Sequence, residues 1–302
     1  MTKLMTLLIA ACFLVPLTIA QDNSAQDSNA GEKISKYVYW QDAKVNPGKF
    51  DVFARQVAQI REAANTNSPD AYWIAGTPIT GDGGMVTFVT FHDSMASVEK
   101  FDASLGKTMM AAMKNANLSA EAAESEGPAR SGVAEYSEEL SYRPTMVPMA
   151  QTAWWEVEVL GLRPGCDREF NAAAKQVIEL HKKANDNEHW VGYKVLAGFP
   201  IPSVVFVKPM RSLAEEDEQP PAAAKELFES PLVQRLFETV GKECITHIER
   251  NYTKVSPSLS RAPQSMVAAN PSFWNVKEAE ATSMPAKGKK AKMKTTAAKS
   301  MN

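Results

Sequence analysis

RPGCDREFNAAAKQVIELHKKANDNEHW, residues 163–190, decides how this chain is read. Pro164–Gly165 turns the backbone, Phe170, Ala174, Val177 and His181 recur at steps of four, three and four, and Trp190 follows a polar break. That spacing lays one apolar stripe along an amphipathic helix. The same punctuation stands 117 residues earlier: Pro47–Gly48, then Phe53, Val57, Ile60 and Ala64, then Trp73. Gly81 and Gly198 keep the register. This many matched positions in one short window read as an internal repeat, and the repeat predicts two units of like architecture.

Each unit reads outward from that helix. In the first, residues 37–40 are aromatic and β-branched and suit a strand. A helix is expected over about 49–65, then strands over 71–80 and 85–92 joined by Gly81-Asp82-Gly83-Gly84, where glycine supplies positive φ. A helix over about 96–113 follows. After a small-residue, acidic interruption at 119–127 come a further helix to about 138 and a short closing strand at 140–143. In the second unit, Trp155, Val157 and Val159 alternate against Glu156 and Glu158 on a strand over 154–160. The helix to about 184 is followed by strands over 189–196 and 203–208, and a helix over about 231–248 closes the unit.

The order β-α-β-β-α-β builds a four-stranded antiparallel sheet with both helices on one face. The expected class is therefore α+β, with two ferredoxin-like units, 36–145 and 151–255, covering each other sheet to sheet as an intrachain barrel. On this element order and repeat, residues 36–255 resemble the dimeric α+β barrel superfamily in a tandem, single-chain form. The resemblance implies a ligand held between helices and sheet. It also brings in the superfamily's monooxygenases, which act on haem or aromatic compounds.

The flanks are different. The chain has 302 residues, 44% hydrophobic and 23% charged, and a net charge of −2, so it is not built as a whole to hold polyanions. Residues 1–20 read as a cleaved export signal: Lys3, an apolar run, then Thr18-Ile19-Ala20 before Gln21. A lipoprotein reading at Ile9-Ala10-Ala11-Cys12 leaves a poorer apolar run. The expected location is periplasmic or secreted. Residues 21–35 form a polar lead-in, and 271–302, with seven lysines against two glutamates, a disordered basic tail. Within it, 271–274 (Pro-Ser-Phe-Trp) is an apolar cluster that can dock back on the domain.

His181 takes the place of Ala64 on the repeated stripe, and an ionisable ring there needs a hydrogen-bond partner or a ligand. The plainer reading is a half-exposed histidine beside Lys182 and Lys183. His181, Trp190 and Tyr193 are the candidate ligand-binding residues. Trp73 and Trp190, duplicated at one position, are read first as packing residues. Cys166 and Cys244 lie at helix ends that the fold brings together, so a disulfide is expected, against the alternative of two buried thiols. His92, His189 and His247 have no metal spacing, and Glu215 to Glu218 lack a glycine-turned calcium loop. No metal site is expected, no catalytic residue is assigned, and no nucleophile, P-loop or dinucleotide motif is found.

The sequence thus reads as an exported barrel of unassigned function, non-catalytic or binding a small ligand, with an apolar or aromatic molecule as the candidate partner and no cofactor. The alternative is an oxidoreductase resembling the monooxygenases and acting on haem or an aromatic compound, with His181 as axial ligand or acid–base residue. A third reading gives the leading role to the basic tail on an anionic envelope surface; nucleic acid is not an expected partner. Because each half covers the other's sheet, a monomer is expected.

Overall fold

The computed structural model describes residues 33–115, 125–127, 130–218 and 221–275. The export signal and all but the end of the polar lead-in lie outside these residues, as does the tail beyond Asn275.

The first unit runs β1 (Tyr37–Lys44), α1 (Phe50–Asn67), β2 (Ile74–Pro78), β3 (Met85–His92), α2 (Met95–Asn115) and β4 (Arg130–Tyr136). The second runs β5 (Trp154–Leu162), α3 (Asp167–Ala184), β6 (Val191–Ala197), β7 (Ser203–Met210), α4 (Ala222–Phe228), α5 (Pro231–Glu243) and β8 (Ile245–Val255). Two short helices follow, α6 (Gln264–Ala269) and α7 (Pro271–Trp274). All strand pairs are antiparallel, and the order β1-β3-β2-β8-β5-β7-β6-β4 closes on itself. The fold is α+β: two ferredoxin-like units sharing one eight-stranded barrel. The halves meet edge to edge at two seams, β2 with β8 and β4 with β6, so that among the described residues every strand has a neighbour on both sides.

The repeated punctuation marks like places. Gly48 and Gly165 both have positive φ, 76° and 90°, at the turns into α1 and α3. Phe53 and Phe170 are the buried anchors of those helices, in separate cores on the outside of the sheet. Burying a phenylalanine of this kind contributes about 1.5–3 kcal/mol. Trp73 and Trp190 each donate their indole N–H to a backbone carbonyl of the opposite unit's trailing segment, Leu259 at 2.9 Å and Leu140 at 2.7 Å. Each unit thus ends in an arm that crosses to the other: Tyr142 bridges Trp190, and Arg261 bridges Trp73.

Two elements correct the sequence reading. The stretch before residue 138 is the strand β4 rather than a helix, and Leu140 lies in the crossing arm. The central inward positions of β4, Gly132 and Ala134, are small, and the Trp40 ring lies over Gly132 where a Cβ would collide. Small residues hid the alternation. At the other closing strand, α5 stops at Glu243 rather than 248. A register shift between Gly161 and Leu162 sets Leu160 opposite Ile248 and Leu162 opposite Ile245. The bulge brings Ile245 and Ile248 to one core although they stand three apart, which imitates a helical step.

Candidate functional site

Strand alternation sorts the barrel into an outer face under the helices and a lumen. Val38, Trp40 and Asp42 of β1, Trp155, Val157 and Val159 of β5, and Val191 and Tyr193 of β6 all line the lumen, which encloses about 240 Å³. One end is covered: Trp274 packs on Trp155, Ile74 and Val255, all at strand termini, and donates its indole N–H to the Ala150 carbonyl at 2.9 Å. The 271–274 cluster therefore belongs to the folded barrel, which moves the start of the basic tail past Asn275.

The opposite end is a polar mouth. Asp42 accepts a 2.7 Å hydrogen bond from Thr87, and Arg130 Nε stands 3.6 Å from its other oxygen. Burial pushes the Asp42 carboxyl up; Thr87 and Arg130 oppose this, and Glu249 adds to it from β8. The Arg130 guanidinium lies 4.0 Å over the Phe199 ring, which in turn stacks on Trp40 at 5.2 Å. Glu249 is exposed at the rim and accepts from Asn251 at 2.8 Å.

His181 and Trp190 lie elsewhere, on the outer face beneath α3 and α4. Asn185, in the left-handed region at φ 48°, ends α3 and swings Asp186 back under the helix. His181 Nδ1 and Asp186 Oδ2 are 2.6 Å apart, and the Asp186 Oδ1 accepts the Glu188 backbone N–H at 3.2 Å. Tyr142, Trp190 and Phe228 surround the imidazole at ring distances of 5.6, 5.1 and 4.7 Å. The side chain is 8% exposed, so the half-exposed reading is corrected. It is a buried, hydrogen-bonded imidazole in an aromatic nest.

The three candidate residues do not form one pocket. Trp190 and Tyr193 are three positions apart on one strand run, hence on opposite faces. His181 and Trp190 come together outside the barrel, whereas Tyr193 faces the lumen. A porphyrin beside His181 would have to displace its aromatic neighbours, and the residues present do not fit it in this arrangement. The lumen is also below the 300–1,000 Å³ usual for larger ligands. Cys166 and Cys244 are joined as a disulfide, with Cα atoms 5.4 Å apart, tying the start of α3 to the junction of α5 and β8. Among the described residues no cluster of three or more His, Cys, Asp or Glu is placed to hold a metal.

A charged cluster on the outer face of the second unit escaped the sequence reading. Arg250 on β8 donates to Glu158 through Nε at 2.7 Å and through Nη2, and lies 3.0 Å from Glu156. Lys208 on β7 pairs with Glu188 at 3.0 Å and Glu216 at 2.9 Å, and Tyr252 donates to Glu216 at 2.9 Å. Burial pushes Glu156 up to about 7 against the pull of Arg250. Alternation alone marked Glu156 and Glu158 as solvent-facing. The cover comes from the Leu213–Asp217 turn, held by the Ser212 capping box, and no local pattern announces it.

No protein-family model matches this chain, and no curated protein matches it in sequence. Solved structures of similar shape exist. One is a protein from Fusobacterium nucleatum provisionally assigned as a monooxygenase (10% identity, 74% of this chain and 94% of that one, TM-score 0.48). Another is an anthrone oxidase-like protein (14%, 74% and 94%, TM-score 0.47). A third is chlorite dismutase from Candidatus Nitrospira defluvii in complex with imidazole (8%, 77% and 94%, TM-score 0.45). The fold, two ferredoxin-like units closed into one eight-stranded α+β barrel, follows from the strand order of this chain itself. Likeness at these scores says nothing of chemistry.

Proposed function

We propose that this protein binds a small, mostly apolar molecule of one or two rings inside the barrel. The carrying observation is the lumen: about 240 Å³, walled by valines and aromatic rings, covered at one end and charged at the other. An apolar cavity of roughly 150 Å³ is known to hold benzene, so this one has room for a substituted ring. A concave apolar site with a few fixed polar groups is the general form of a small-molecule site. The likeness to oxygenases is one of fold, and His181, held by Asp186 and enclosed by rings, adds nothing to an oxidative reading. No reaction is therefore part of the proposal.

The test is a ligand-observed NMR screen of small aromatic solutes against the wild type and Val157→Trp, which fills the lumen from β5. Saturable binding that disappears in the variant, with the thermal midpoint retained, is the expected result. Equal binding by both proteins would place the ligand outside the barrel and overturn the proposal. Two further parts of this reading are export, checked by the N-terminal sequence of the mature protein, and a monomeric state. The closed barrel offers no strand edge to a second copy; a stable dimer by light scattering at micromolar concentration would refute the latter.

A further inference from the structure

We infer that Tyr193 selects the ligand of the lumen, and that this ligand is a neutral ring compound carrying a hydroxyl group. The inference rests on the lumen-binding reading and names the chemistry that site would take. Tyr193 is 5% exposed and points inward from β6, beside Val191 and opposite Val205 on β7. Its ring meets Tyr136 edge-on at 6.3 Å across the β4–β6 seam. Among the described residues no group hydrogen-bonds its hydroxyl, which opens onto the lumen and is free to meet a ligand there; the buried polar atoms left without a partner are others, Gln56 Nε2, Tyr142 Oη and Trp155 Nε1. Other polar groups at the mouth are engaged: Asp42 by Thr87, Asn251 by Glu249.

The surroundings narrow the chemistry. Trp40 and Phe199, stacked at 5.2 Å, and the valines of β5, β6 and β7 form walls that suit a ring rather than a charged chain. Asp42, Asp82 and Glu249 outnumber Arg130 at the entrance, which disfavours an anion. Burial pushes the Tyr193 phenol upward, so at neutral pH it keeps its proton and both donates and accepts. A hydroxyl on the ligand matches both roles; a bare hydrocarbon matches neither.

Para-cresol and toluene make the test, since they share a ring and a methyl group and differ by one hydroxyl. Both are titrated by ligand-observed NMR against wild type and Tyr193→Phe, with thermal midpoints recorded. Phenylalanine removes only an oxygen that has no protein partner, so the variant is expected to fold. The wild type should bind p-cresol more tightly than toluene. In Tyr193→Phe the p-cresol affinity should fall about three- to tenfold, the range of one net hydrogen bond, with toluene within about twofold. An unchanged p-cresol affinity, or an equal fall for both compounds, would overturn the role of Tyr193. A wild type that prefers toluene would overturn the ligand class without relying on any variant. A wild type that binds neither compound would overturn the lumen reading itself.

Discussion

Glu156 gives the sharpest quantitative test of the electrostatics. Its side chain is 12% exposed, 3.0 Å from an Arg250 that also serves Glu158, with Glu216 nearby adding repulsion. An ordinary glutamate has its pKa at 4.5; burial brings this one to about 7. Between those values the folded protein holds a proton that the unfolded chain has released, so stability falls as pH rises through that window and is level above it. The interval corresponds to roughly 3 kcal/mol. Glu156→Gln has no such proton to lose. Relative to wild type it should gain roughly 3 kcal/mol between pH 4 and pH 8.5, or about 6–12 °C in midpoint for a domain of this size. Thermal unfolding of both proteins across that range, with the disulfide intact, measures the difference. Parallel curves for the two proteins would refute the reasoning, showing either that Glu156 is solvated or that Arg250 fully offsets its burial.

Other predictions concern the helix layer. Asp186→Ala leaves the His181 imidazole buried without its partner and should cost about 1–3 kcal/mol in urea unfolding; an unchanged midpoint would mean water replaces the carboxylate. The double variant Cys166→Ala, Cys244→Ala opens a long loop and should cost about 2–5 kcal/mol, with wild type falling to a similar midpoint under strong reductant. If reductant leaves the wild-type midpoint in place, the bond contributes no measurable stability.

The sequence carries the fold through residues whose meaning is local. Pro-Gly turns, the stripe from Phe53 and its counterpart from Phe170, and the alternation around Val157 depend only on neighbours along the chain. The strand β4 is illegible because Gly132, at its centre, is bare to admit the Trp40 ring of the neighbouring strand, a contact with a residue far away in sequence. The start of β8 was illegible because a bulge imitated helical spacing. For the site, Tyr193 is nameable from the sequence, but strand parity sets it on the face opposite Trp190. Asp42, Arg130 and Glu249 converge at the mouth only after closure, and nothing in their local sequence distinguishes them from surface charges. His181, on an apolar stripe, needs a partner on sequence grounds alone. Asp186, five residues on, becomes that partner through the left-handed turn at Asn185.

The crossed arms carry a consequence for how the molecule comes apart. The segment after β4 is pinned on the second unit at Trp190, and the segment after β8 is pinned on the first at Trp73. Neither half keeps its own trailing segment, so neither is a self-sufficient domain despite having a complete ferredoxin-like order of elements. Unfolding has to open both seams and release both arms together, which makes the barrel one cooperative unit. A single protease nick between Tyr142 and Trp154 should accordingly yield two fragments that remain associated, rather than two independent domains.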